Sequence, residues 1–460
     1  MIHRIVHDRA GGRSRPPINQ WVGLAVLCLS LGLAACDLEV TNPGVLEDAY
    51  IDDPVNLPAL IAGVRGSYTY AAAGPVGGYG VYLAGALLTD EAVHSGTEVG
   101  LRGFSDGIAR EEWQEVHELW AEASRARWTA EDLVRRLDRQ IARAAPEDTG
   151  TIAELEEHLL EALIWAGFSG RLLGENFCEA VIDKGPSQPH TVFFERAEAH
   201  FTRAIQLATE QGSEEFLLVA HAGRAQVRVG LGRWQDAVAD AALVPTEFVF
   251  TQAHYYPSDR ETNGFRSASL PANPVFTVWG TPFADWGATG GDPRVRYTMP
   301  TSGGSPVIGL DQRRPFWQQT KYSASAAPIE VATGVEMRLI EAEAALRAGD
   351  VPGAVAAIQL VRDYRNAPPS NMGLPPAAAA DANEAWTLLM RERGIELWLE
   401  GRRLGDIRRW AVSPGSVPFD VVREAGSGGP DTDARRNVLQ TSGDLCIPIS
   451  RQERLANPNL

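Results

Sequence analysis

Three glutamates, Glu392, Glu396 and Glu400, recur at four-residue steps near the end of the chain. Arg402, Arg403, Arg408 and Arg409 follow at once, with Asp406 among them. On a helix the glutamates share one face. Carboxylates gathered this way could supply the acid and base of a hydrolase. They could equally be neutralised by guanidinium forks, which bind carboxylates bidentately and keep their charge. Like charges four apart cost about 0.2–0.5 kcal/mol per pair on an exposed helix, and more in an interior, so such a ladder needs cations. Trp386, Leu389, Met390, Arg393 and Leu397 form an adjacent stripe on the same helix. An open catalytic cleft has no need of Leu397, Trp398, Leu404 and Ile407 packed around it. The expectation is therefore a structural clasp. After Gly401 a second short helix folds back, and Arg402, Arg403, Arg408 and Arg409, aligned by Asp406, meet Glu396 and Glu400. Catalysis and a surface docking patch are the alternatives.

Other catalytic signals are weak. His117 and Glu118 begin a zinc-protease helix motif whose second histidine is missing, and Ser169 lies in Gly-Phe-Ser-Gly-Arg, not in a nucleophile elbow. Phosphate-cradling and dinucleotide fingerprints are absent. No catalytic residue, metal ligand or cofactor is assigned. With 59 acidic residues a suitably spaced carboxylate pair is always available, so a surface glycoside hydrolase stays as an alternative.

The net charge of −17 excludes the usual electrostatic route to nucleic acid. Its main local exception is the N-terminus. Arg4, Arg9, Arg13 and Arg15 precede a short apolar run that ends at Leu33-Ala34-Ala35-Cys36. The run is short for a bilayer span and has the flank of a secretory signal. Residues 1–35 are expected to be a lipoprotein signal peptide, with the Cys36 thiol taking the lipid. Acyl chains in the plural make a stable membrane anchor. Cys178 and Cys446 then remain in an exported, oxidising compartment, which favours one bridge between them over two free thiols. Neither has the CxxC or paired-histidine spacing of a zinc site.

Helical periodicity marks residues 52–70, 111–144 and 151–174. Ala225, Gly232 and Ala237 are spaced by seven and five, and Ala342, Gly349 and Ala354 repeat that spacing; Ala197, Phe201 and Ala204 fit the second helix of such a unit. Small residues there let antiparallel helices approach, as in tetratricopeptide hairpins. The stretch Ala71–Tyr82 reads as a glycine-rich loop. Residues 246–330 exchange this periodicity for glycine, proline and aromatics, and read as long loops with short strands. The fold class is mostly α: a helical-hairpin scaffold over about 50–245 and 331–410, with a loop-rich ligand-binding face between, all one domain from 36 to 460.

Several stretches resemble the SusD/RagB family. Arg391–Trp410 is similar to its C-terminal signature at Glu396, Glu400, Gly401, Arg403, Asp406, Arg408 and Arg409; Gly394 and Trp398 differ from common choices. Cys36–Gly44, Leu87–Val93, the Gly-Asp-Pro-Arg-Val run from Gly291 and the ending from Ile447 to Leu460 resemble further family segments in the expected order. The resemblance implies a surface-exposed outer-membrane lipoprotein that is not an enzyme. It would bind a glycan or another nutrient and sit on a SusC-like TonB-dependent transporter. A lipidated helical-repeat scaffold of the envelope is a further alternative.

Sugar capture uses flat aromatics against CH faces with a few polar groups for hydroxyls. The loop residues Trp286, Trp317, Trp279, Tyr79 and Tyr82 are the candidates, with Asp285 and Gln318 as hydroxyl partners.

Overall fold

Leu57, Ile61, Val64 and Tyr68 recur at three- and four-residue steps and form the buried side of α1 (Leu57–Ala73). The computed structural model describes residues 51–74, 79–252, 261–411 and 445–460, and Pro54–Leu460 form one compact unit. The signal segment and Cys36 lie outside the described residues. After α1 come α2 (Val81–Leu88), α3 (Val99–Ser105), α4 (Gln114–Arg143), α5 (Thr149–Asn176), α6 (Thr191–Gln211), α7 (Glu214–Gly230) and α8 (Trp234–Ala241).

α4 packs on α5, α5 on α6, α6 on α7 and α7 on α8. Two or three residues join α6 to α7 and α7 to α8, which forces antiparallel neighbours. The close approach is made by glycine. A side chain on Gly167 of α5 or Gly223 of α7 would run into the Phe201 ring, at 2.5 and 2.3 Å. Gly174 and Gly230 leave the same kind of slot for Phe194. Thus α6 drives two aromatic rings into notches on both neighbours, and the spacing of Ala197, Phe201 and Ala204 finds its cause.

The loop-rich region is an excursion between two paired strands. Val249–Gln252 runs antiparallel to Ile329–Thr333, with Ile329 opposite Gln252 and Thr333 opposite Val249. Within it lie α9 (Gly264–Ala268), α10 (Pro282–Trp286) and short antiparallel pairs. Val93–His94, between α2 and α3, pairs with Phe276–Thr277 and ties the excursion to the N-terminal helices.

Helices resume with α11 (Gly334–Arg347), α12 (Val351–Asn366), α13 (Ala382–Glu396) and α14 (Arg403–Ala411), and the chain ends in α15 (Arg451–Ala456). Gly232 and Gly349 both have positive φ, 70° and 79°, so the two turns with matching spacing have matching backbones. The mostly α, tetratricopeptide-like architecture is the one expected. One local reading needs correction. Val81 and Tyr82 open a helix, α2, instead of ending a loop. Its sequence VYLAGALL is apolar on every side and buried throughout, the pattern of a core helix.

Candidate functional site

The glutamate ladder is deeply buried: Glu392, Glu396 and Glu400 are 0%, 6% and 3% exposed. It is a clasp of arginine forks, but with different pairings from those the spacing predicts. Glu392 takes Arg294 at 2.5 Å and Arg362 at 2.9 Å. Glu396 takes Arg365 at 2.6 Å and Arg294 at 2.8 Å. Glu400 is met by Lys321 at 2.5 Å. The arginines after Gly401 reach other acids. Arg402 joins Glu175 of α5 to Glu336 of α11. Arg403 clamps Asp90 with bonds of 2.6 and 2.7 Å. Arg409 holds Glu343 and Asp406, and Arg393 also closes on Asp406. Arg408 donates to the Glu175 carbonyl at 2.7 Å. The correction has a packing cause: α14 packs on α2 and α5, so Arg403 meets Asp90 just past α2, Arg408 meets the end of α5, and Arg402, just before α14, bridges α5 to α11.

Burial pulls Asp406 upward, yet Arg393 and Arg409 hold its carboxyl well below the usual range. Glu336, Glu343 and Glu396 are likewise held down by their arginines against burial. Arg402 is pulled down by burial and raised more strongly by Glu175 and Glu336.

The turn between α13 and α14 is gripped from the N-terminal side. Glu91 Oε1 accepts the Leu399 N–H at 2.7 Å, and Lys321 Nζ donates to the Trp398 carbonyl at 2.8 Å. The Glu91 Oε2 atom is buried without a hydrogen bond. Burial, with Asp90 adding, pushes Glu91 from its ordinary 4.5 up to about 8. The folded protein therefore binds this proton more tightly than the unfolded chain does. Its stabilising contribution is complete below about pH 4.5, fades as pH rises, and is gone above about pH 8. Glu91→Gln keeps an acceptor for Leu399 and removes the charge. At pH 9 thermal or denaturant unfolding should find the variant about 2–4 kcal/mol more stable than the parent, with the gap closing at pH 5. Equal pH dependence in both proteins would refute this.

A cleft of about 140 Å³ opens between α2, α3 and the segment 268–276. Leu83, Leu101, Val275 and Phe276 give it apolar walls; Tyr79, His94, Glu98 and Asn273 supply polar atoms. Asn273 Nδ2 donates to the Ser267 carbonyl at 3.1 Å, which sets the amide. His94 is 1% exposed. Burial, reinforced by Arg102 and Arg314 against Glu98, lowers its pKa to about 4, so the imidazole is neutral at neutral pH.

Residues 334–460 match the SusD family. The fold is similar to a SusD superfamily protein from Bacteroides vulgatus at a TM-score of 0.65 and 15% identity, over 88% of this chain and 98% of that one. One from Parabacteroides distasonis gives 0.64 and 15%, with the same 88% and 98% coverage. A SusD-like carbohydrate-binding protein from Bacteroides vulgatus gives 0.61 and 16%, over 88% and 97%. The chain has the SusD fold. Among curated proteins no match was found.

Within this SusD fold the predicted ligand residues scatter. Tyr79 lines the cleft. Tyr82 does not: it is 1% exposed and its hydroxyl bonds Tyr68 at 2.7 Å, because α2 is a core helix. Trp279 and Trp317 are half-buried, and the backbone N–H of each donates to Thr277 Oγ1, on the strand that continues from the cleft wall. Trp317 stacks on Tyr297 with centroids 5.4 Å apart and planes 7° from parallel. Gln318 pairs with Thr298 beside that stack. Trp286 sits elsewhere, against Phe283 and beneath the Arg391 guanidinium on α13, while Asp285 is exposed. Sequence reading missed His94, Glu98 and Asn273. The run Leu87–Val93 was the available signal for the first two, since it marks the segment that leads into the cleft. Cys178 and Cys446 are disulfide-bonded, with Cα atoms 5.1 Å apart.

Proposed function

We propose that the protein is a non-catalytic lipoprotein, anchored through Cys36 in the outer membrane and displayed at the cell surface. It captures a glycan and passes it to a SusC-like TonB-dependent transporter. The observation that carries the reading is the cleft on the SusD fold, where apolar walls meet the Tyr79 ring and the Asn273 amide. Apolar area with a few fixed polar groups is the chemistry of saccharide capture, and Trp279 and Trp317 extend it along the neighbouring strand. A solved structure of the same fold is described as a carbohydrate-binding protein. The non-catalytic part rests on charge. The clasp carboxylates are paired with arginine or lysine, and among the described residues Glu98 is the one carboxylate lining the cleft, whereas glycoside hydrolysis normally needs two.

Titration calorimetry of the purified full-length chain against an oligosaccharide panel tests capture. Tyr79→Ala and Asn273→Ala should each weaken binding about tenfold, consistent with the loss of a ring face or a buried-polar contact. Trp286→Ala should leave affinity within about twofold, because that ring packs on α13. Affinity unchanged in both cleft variants would move the site elsewhere. Release of reducing ends from the panel would overturn the non-catalytic reading. Co-purification with a TonB-dependent barrel tests delivery, and loss of lipid labelling in Cys36→Ser tests the anchor.

A further inference from the structure

We propose that the cleft prefers saccharides bearing free amines, such as glucosamine oligomers, over N-acetylated, neutral or uronic ones. The inference rests on the glycan reading and names its substrate class. Two acceptors meet at the cleft without being used up. Glu98, whose side chain is 46% exposed, has one oxygen engaged by the Thr97 N–H at 3.0 Å, and Oε1 has no partner among the described residues. His94 Nε2 lies 3.1 Å from Glu98 Oε2, so the almost wholly buried ring faces that oxygen and Oε1 is the one left over. Asn273 Oδ1 accepts none among the described residues, its amide being set by Ser267. An ammonium has three donors and no acceptor, which suits this set; a carboxylate ligand would find one donor-capable amide and a neutral imidazole.

The surrounding charge has the same sign. Glu115, Glu118 and Glu98, after burial, all push the Tyr79 hydroxyl upward, which places three carboxylates within electrostatic reach of the cleft's aromatic wall. Asp311 is already paired with Arg314 at 2.6 Å. Arg102 is exposed and donates toward the Gly96 carbonyl, so it offsets one carboxylate of the three. The neutral His94 adds no positive charge at working pH. The Tyr79 face can also hold a cation over its ring.

The test uses the full-length chain and four hexasaccharides: glucosamine, N-acetylglucosamine, glucose and galacturonic acid. Calorimetry at pH 5.5 and low salt keeps the amines charged and His94 neutral. The glucosamine hexamer should bind about tenfold more tightly than its N-acetylated counterpart, the galacturonate should bind worst, and the margin should shrink at 0.5 M salt. Glu98→Gln lies at an exposed position and retains an acceptor for Thr97. It should bring the glucosamine hexamer to parity with the N-acetylated one. Equal wild-type affinities, or a margin that survives in Glu98→Gln, would overturn the charge preference and leave glycan capture standing. Failure of all four to bind would overturn glycan capture and the preference together.

Discussion

Arg402→Met should destabilise the folded protein by about 3–5 kcal/mol, the usual cost of removing one partner from a buried ion pair. The arginine lies between Glu175 and Glu336, which are 9% and 2% exposed. Methionine fills the space and leaves both carboxylates without their nearest cation. Their remaining guanidinium neighbours are further off: Arg171 lies 3.8 Å from Glu175 and Arg393 lies 3.7 Å from Glu336. Burial already raises the Glu175 pKa against the opposing pull of Arg402, and without Arg402 it must rise further. A carboxyl with a raised folded pKa contributes stability at low pH and loses it as pH rises. The deficit of the variant should therefore be greatest above pH 7 and smaller near pH 5, and Glu175→Gln added to Arg402→Met should recover part of it. Denaturant unfolding at the two pH values measures this. Ligand affinity of the folded fraction should be unchanged. A midpoint shift below about 1 kcal/mol accompanied by a large loss of affinity would make Arg402 a ligand residue and sink the clasp.

The residue types of the clasp were legible and their pairings were not. Four-residue spacing places Glu392, Glu396 and Glu400 on one face and says they need cations. It cannot say which, because Arg294, Arg362, Arg365 and Lys321 come from a loop, from α12 and from the excursion. The direction of α14 is set by the turn before it. Leu399 has φ of 60°, and a side chain on Gly401 would collide with the Tyr82 ring at 1.9 Å. That contact belongs to the packed core, and no local pattern contains it. Acid on this scale of pairing has a global effect. Carboxyls held low by arginine, Asp406 and Glu396 among them, contribute stability that is lost as pH falls through their depressed values, whereas Glu91 and Glu400, both near 8, lose theirs as pH rises. Stability should therefore peak between the two limits.

Helical hairpins were readable for a different reason. Ala197, Phe201 and Ala204 announce a face that must meet something small, and Gly167 and Gly223 lie in neighbouring segments of similar periodicity. The cleft was not readable. It is assembled from the α2–α3 connection and a strand about 180 residues later, joined by two pairs, Val93 with Thr277 and His94 with Phe276. Short pairings of that kind carry no periodic signal. Aromatic residues among glycine and proline mark the excursion, where half-buried rings mix with packed ones. Trp286 and Tyr82 have the composition of loop aromatics around them, but one lies against α13 and the other faces Tyr68.

The double variant Cys178→Ser/Cys446→Ser should lower stability by about 2–5 kcal/mol. The bridge spans a sequence separation of 268 residues, and in the chain-entropy account long closed loops restrict the unfolded chain most. Its folded-state role is local. Cys178 follows the end of α5, and beside it the Cys178 N–H donates to the Ile447 carbonyl at 3.0 Å while the Ile447 N–H donates to the Asn176 carbonyl at 2.8 Å. Past the bridge, Arg454 reaches Glu111 and Glu179, and Asn457 Nδ2 donates to the Gly185 carbonyl at 3.0 Å. Those polar contacts are part-buried and α15 contributes no buried residue, so they are individually weak. The covalent tie, together with Leu445, Ile447 and Ile449 buried in the core, keeps them together at high effective concentration. Hydrogen exchange should consequently accelerate in residues 445–460 well before it does in α5 or α6, and the denaturation midpoint should fall by the amount above. An unchanged midpoint with unchanged exchange in the tail would show that the noncovalent contacts suffice, and that the bridge adds nothing to the native state.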